Sequence, residues 1–208
     1  LVGSEMCIRD RMWKELGATR VVAAREVSLA DLKEMKDNVD IEIESFVHGS
    51  MCISYSGRCL LSNYMTGNRD ANRGQCSQSC RWKYSLVESN RPGEYYPIEE
   101  DEHGTYIFNS KDLCLIHRIP DLYEAGIDSL KIEGRMKSVH YCATVAKVYR
   151  TAIDTYLKEG KDWYVRPEWI AELEKISHRP YTDGFAEGRP DETAQNLSLI
   201  HISEPTRQ

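Results

Sequence analysis

Five cysteines gathered around one glycine-rich stretch are the part of this sequence best equipped for chemistry. Cys52 closes the run Glu44-Ser45-Phe46-Val47-His48-Gly49-Ser50-Met51-Cys52, and Cys59, Cys76, Cys80 and Cys114 follow at intervals of seven, seventeen, four and thirty-four residues. The sequence reads without a secretory signal, so these thiols are expected to stay reduced and to act as metal ligands or reactive groups rather than as disulfides. The intervals match no common zinc ribbon, which needs two tight Cys-x-x-Cys knuckles. Single thiolates converging from several loops suit an iron–sulfur cluster better, with zinc as the alternative. Cys142 is set apart, because it shares a helix face with Val139, Val145 and Ala146 and reads as core.

Two further groups of side chains carry charge to places where it can act. Glu42, Glu44, Lys131 and Glu133 alternate along two strand patterns, and carboxylates enclosed in a low-dielectric interior must be paired or have shifted pKa values. Glu44 and Glu133 are therefore candidates for acid–base work, or else members of a structural ion-pair network. His48 ends its strand beside the cysteine loop and can either donate to a substrate or satisfy a backbone carbonyl. Arg25, Lys111, Arg135 and Lys137 fall at or just past strand ends, a ring suited to holding a small dicarboxylate through arginine forks. Arg69, Arg73, Arg81, Trp82 and Lys83 mix base-stacking and phosphate-contacting types, as recognition of single-stranded RNA requires, although a solvated charged hairpin has the same composition.

The elements that must position these residues alternate. Residues 19–24 form an apolar run of strand length, followed by Ser28 as an N-cap and an amphipathic helix through Leu29, Leu32 and Met35. Residues 41–47 alternate, with Ile41, Ile43 and Val47 on one face and Glu42, Glu44, Phe46 and His48 on the other. A third strand is expected at 105–109, a helix near 115–125 ending at Gly126, a fourth strand at 129–133 and a long helix from about 139 to 158. This is the grammar of parallel β/α units. The expected fold class is α/β, a partial eight-stranded (β/α) TIM-like barrel of about four units with polar strand faces toward the lumen.

A long insertion, roughly 54–104, interrupts the second unit. It carries the cysteines, several glycine turns and a hairpin expected between 84–87 and 95–98. Residues 12–160 thus read as half of a barrel, the C-terminal half by the family resemblance that follows. Residues 161–196 read as a final helix near 168–176 and a docked strip at 179–185. Residues 1–11 and 197–208 resemble translated adapter sequence and are expected to lie outside the fold. No apolar run reaches the eighteen or so residues of a membrane span. The net charge of −6 argues against wholesale coating of nucleic acid, yet Thr66 to Lys83 holds four basic residues against Asp70 alone. Neither a Gly-x-Ser-x-Gly elbow nor a His-Glu-x-x-His helix is present.

The motif Glu44-x-Phe46-x-x-Gly49-Ser50-Met51-Cys52-x-x-x-x-Gly57-x-Cys59-x-Leu61-Ser62 resembles the defining motif of the U32 "collagenase-like" peptidase family. Asn72 to Trp82, Phe108 to Cys114 and Lys131 to Ser138 resemble it as well, so that the similarity covers about residues 13–196. It is nearest to the branch associated with tRNA 5-hydroxyuridine formation. The resemblance implies a [4Fe–4S] cluster on Cys52, Cys59, Cys76 and Cys114, with Cys80 as an alternate ligand. It also implies a tRNA substrate, a cytoplasmic location, prephenate (a dicarboxylate) as source of the hydroxyl chemistry, and an N-terminal half of the barrel that this chain lacks. The family's older label implies the alternative, a peptidase in which Cys52 and His48 form a nucleophile–base pair.

Overall fold

The computed structural model of the chain describes residues 11–52, 54–56, 59–67, 75–81, 85–86, 96–97 and 111–188. The described residues up to Met51 and from Lys111 onward form one compact unit, and those between 52 and 97 form a second.

The first unit is built on strand β2, Glu42–Ser50, which has three neighbours. Strand β6, Ser129–Glu133, runs parallel to it from Glu44 to Gly49. Along the opposite edge lie β1, Arg20–Val22, parallel to the start of β2, and β5, Asp112–Cys114, antiparallel to its end. A short β7, Tyr181–Thr182, continues the sheet parallel to β5. Parallel ladders therefore predominate in a mixed α/β arrangement. The antiparallel β2–β5 pair departs from the simple βα repeat expected from sequence. The strand expected at 105–109 lies outside the described residues. The strand that is seen, β5, follows it and has no counterpart in the sequence reading, because three residues are too few to show alternation.

Helix α1, Leu29–Asn38, opens with a capping box: Asp31 N–H donates to Ser28 Oγ at 3.1 Å, and the Asp31 carboxylate accepts from Ser28 N–H. Its buried face, Leu32 and Met35, packs with Ala23 and Ile43. A 3₁₀ turn at Ile116–Arg118 leads into helix α3, Ile119–Glu124, which stops at Gly126 with φ +75°. Helix α4, Val139–Glu159, is capped by Ser138 and buries Tyr141, Val145, Val148, Tyr149 and Ala152 at helical spacing. Helix α5, Pro167–Glu174, packs on α4 through Trp169 and Leu173.

In the second unit, helix α2, Leu60–Met65, packs on a 3₁₀ turn at Ser79–Arg81. Strands β3, Ser85–Leu86, and β4, Tyr96–Pro97, pair antiparallel inside the hairpin expected from sequence. No helix among the described residues is long and apolar enough to cross a membrane.

Candidate functional site

In the second unit two of the cysteine sulfurs are already held by backbone N–H groups. Cys59 occupies the N-cap position of α2, where a side-chain acceptor satisfies one of the helix's unpaired first-turn donors, and its sulfur accepts from Ser62 N–H at 3.4 Å. Cys76 Sγ accepts from Gln78 N–H at 3.3 Å. Gln78 itself adopts φ +57°, a left-handed conformation that costs a non-glycine residue about 1 kcal/mol or more. That turn is what carries the amide toward the sulfur. The two cysteine segments are joined by serines: Ser77 N–H donates to Ser62 Oγ at 3.0 Å, and the two hydroxyls lie 3.2 Å apart. Cys80 sits half-buried in the 3₁₀ turn, and Cys52 is exposed. All of these thiols are free of disulfides. Among the described residues no three His, Cys, Asp or Glu side chains stand close enough to hold a single metal ion.

In the first unit Cys114 is buried on β5, directly opposite His48 on β2. Residues facing each other across antiparallel strands share a face, so thiol and imidazole lie in one layer. Burial pushes the Cys114 thiol up, partly offset by hydrogen bonding near Ile116 and Tyr149. His48 is fully buried, against the expectation that it shares the polar face of Glu44 and Phe46. The reason is a bulge: the β2–β6 register slips between Phe46 and His48, so that Val47 and His48 are both buried in succession. Gly49 follows at φ +108°, with a Cβ position only 2.2 Å from the Glu133 carbonyl oxygen, so no larger residue fits there.

Around His48 stand three tyrosines, Tyr141, Tyr149 and Tyr181, at ring separations of 5.3 to 6.0 Å. The Tyr149 hydroxyl donates its one proton to the Val47 carbonyl at 2.8 Å and accepts from Leu115 N–H at 3.1 Å. With that proton on Val47, we assign the 3.4 Å contact with His48 Nδ1 to the imidazole proton, which places hydrogen on Nδ1 and a lone pair on Nε2. Nε2 has no hydrogen-bond partner among the described residues. Burial, together with the positive charges of His178 and Lys137, lowers the His48 pKa to about 3. At neutral pH this ring is uncharged.

Glu44 accepts from Lys131 Nζ at 2.6 Å and from the Ser129 hydroxyl at 2.9 Å, with Arg20 3.7 Å away. Those hydrogen bonds hold its carboxyl below the usual range in spite of partial burial. Glu133 pairs with Arg25 at 3.4 Å and accepts Arg135 N–H at 3.1 Å. The Arg25 guanidinium also covers the Phe46 ring at 3.7 Å, with Lys131 5.5 Å from the same ring. Of the two readings of these carboxylates, the pairing seen is that of an ion-pair network. Lys137 donates to the Ser177 carbonyl at 2.7 Å and lies 3.8 Å from Asp112. Lys111 immediately precedes β5, and Arg135 follows β6. Arg81 closes the 3₁₀ turn, whereas Arg69, Arg73, Trp82 and Lys83 lie outside the described residues.

Sequence reasoning missed Asp112. It is fully buried and accepts from the Arg179 guanidinium at 2.7 and 3.1 Å and from Arg179 N–H at 3.2 Å. An arginine just before Pro180, in a strip expected to dock, was the available signal. Of the tyrosines around His48, Tyr141 and Tyr149 were missed because on a helix they read only as core, and Tyr181 because its strip has no pattern of its own.

The sequence profile of peptidase family U32 matches residues 9–196. This chain belongs to that family. The U32 chain is 52% identical over 180 residues to tRNA hydroxylation protein P1 of Bacillus subtilis, covering 86% of this chain and 42% of the relative. It is 40% identical over 226 residues to tRNA hydroxylation protein P of Escherichia coli, covering 89% and 49%. The 23S rRNA 5-hydroxycytidine C2501 synthase of Escherichia coli is 35% identical over 187 residues, covering 87% and 27%. The U32 chain thus spans less than half the length of these curated relatives. No solved structure matches it.

Proposed function

We propose that this U32 chain works in hydroxylation of RNA, forming 5-hydroxyuridine at the wobble position of tRNA. The observation that carries the reading is the 52% identity to a tRNA hydroxylation protein over 86% of the chain. Similarity to an rRNA 5-hydroxycytidine synthase supports the same class of reaction, oxygen placed on a pyrimidine within RNA. The substrate tRNA implies a cytoplasmic location.

The cofactor proposed is a [4Fe–4S] cluster on Cys52, Cys59, Cys76 and Cys114, with Cys80 as alternate and zinc as the rival metal. The donor chemistry fits. Two of the sulfurs accept backbone N–H bonds, which stabilise thiolate and tune cluster potentials. A cubane spreads its ligands over four irons, so its cysteines need not meet at one ion. Such a cluster supplies redox-active iron. In the first unit Glu44, its carboxyl held below the usual range by its hydrogen bonds, pairs with Lys131 and fixes it rather than giving up a proton. Glu133 pairs with Arg25. A dicarboxylate such as prephenate would meet Arg25, Lys111, Arg135 and Lys137, with Arg25 exchanging Glu133 for the ligand. Arg73 and Arg81 are proposed to meet RNA phosphates. The finer fold proposed is half of a (β/α)8 barrel.

The peptidase alternative needs a base for a cysteine nucleophile. His48 is a poor one, because its pKa near 3 leaves it little drive to take a thiol proton at neutral pH. The deciding experiment compares tRNA nucleosides by mass spectrometry from a strain deleted for the gene and complemented with wild type or Cys59→Ala. Restored 5-hydroxyuridine with wild type and none with Cys59→Ala is expected. Normal 5-hydroxyuridine in the deletion strain, with casein hydrolysis by the purified protein that survives chelation of metal, would favour the peptidase.

A further inference from the structure

Ser62 is polar yet fully buried, and each of its polar atoms is engaged. Its N–H donates to Cys59 Sγ, its carbonyl accepts the Thr66 hydroxyl at 2.6 Å, and its own hydroxyl accepts Ser77 N–H at 3.0 Å. Ser77 directly follows Cys76, whose sulfur receives Gln78 N–H. One serine therefore bonds to the Cys59 sulfur and to the residue beside Cys76, across fifteen residues of sequence. Cα geometry alone would not hold two loop segments to a cluster's tolerance; directional hydrogen bonds at a buried hub can.

We propose that Ser62 is the positioning residue of the cysteine site, its hydroxyl fixing the Cys59 segment against the Cys76 segment so that both thiolates serve one iron–sulfur cluster. The proposal rests on the cluster reading above. The two contacts of the hydroxyl are separable. Ser62→Ala removes the acceptor of the half-buried Ser77 N–H, whereas Ser77→Ala removes only the hydroxyl–hydroxyl contact and keeps the N–H bond.

The test uses the full chain purified without oxygen, as wild type, Ser62→Ala and Ser77→Ala. Iron and acid-labile sulfide, the electron paramagnetic resonance spectrum of the reduced protein and the rate of cluster loss in air are measured, with circular dichroism to confirm folding. Expected is a wild-type spectrum and iron content for Ser77→Ala. Ser62→Ala is expected to lose at least half of its iron, or to keep it with an altered spectrum and about fivefold faster loss in air. Wild-type iron, spectrum and lifetime in Ser62→Ala would overturn the positioning role and leave the cluster reading standing. A wild-type protein with neither iron nor sulfide would overturn the cluster reading and this proposal together. If Ser62→Ala does not fold, Ser62→Thr decides, since it keeps the hydroxyl: a wild-type cluster spectrum supports the proposal, and a folded protein without one overturns it.

Discussion

His48 shows how one backbone irregularity changes what a residue can do. Placed on the polar face by simple alternation, it would be a solvent-linked base; turned inward by the bulge, it is a neutral ring with its proton on Nδ1. Its depressed pKa has a definite consequence for stability. The unfolded chain takes up a proton near pH 6.5, the folded chain only near 3. The stability gained by keeping the ring neutral is thus complete above about pH 6.5 and is lost progressively as pH falls toward 3. Nuclear magnetic resonance of ¹⁵N-labelled histidine is expected to show His48 as the Nδ1–H tautomer, with no titration between pH 8 and 5. Tyr149 is the partner that sets this tautomer. Tyr149→Phe removes the hydroxyl bonded to the Val47 carbonyl and Leu115 N–H, which stay bonded to each other at 2.9 Å, and is expected to lower stability by about 0.5–1.5 kcal/mol in urea unfolding.

At the level of elements, what was legible from sequence was whatever repeats. Residues 129–133 read as a strand and form β6; 139–158 read as a helix and form α4; Ser28 read as a cap and is one. Three or more turns of apolar periodicity, or a capping residue ahead of them, leave little room for another reading. β5 and β7 were not legible, because strands of three and two residues exist only through their partners and not through any pattern of their own. The bulge in β2 was hidden for a related reason: it is fixed by how Gly49 lies against the Glu133 carbonyl, a contact between segments far apart in sequence. Gly49→Ala tests it directly. With φ +108° and a Cβ 2.2 Å from that oxygen, the variant cannot keep the β2–β6 ladder and is expected to appear in the insoluble fraction at 37 °C, whereas Gly17→Ala, at φ +92° but with nothing within 4 Å of its Cβ, bears backbone strain without the clash and is expected to stay soluble.

Across the molecule, the buried Asp112 carboxylate ties β5 to the segment that becomes β7. Arg179→Ala would break the 2.7 Å pair with that buried carboxylate and is expected to cost about 3–5 kcal/mol in thermal or urea unfolding. The cysteines could be read from sequence as candidates because thiol spacing is independent of the fold that carries it, whereas the serine and tyrosine partners of the thiols are invisible until distant segments meet. Cys59 and Cys76 already accept N–H bonds in one unit, and Cys114 lies in the core of the other beside Tyr149. The central claim is that these thiols serve an iron–sulfur cluster in an RNA-hydroxylating protein of family U32. Iron, zinc and acid-labile sulfide measured on anaerobically purified protein, with its visible absorption, test that claim most directly. About four irons and four sulfides per chain, with absorption near 400 nm that bleaches on reduction, are predicted for a cubane cluster; one zinc and no sulfide, or no metal at all, would contradict it.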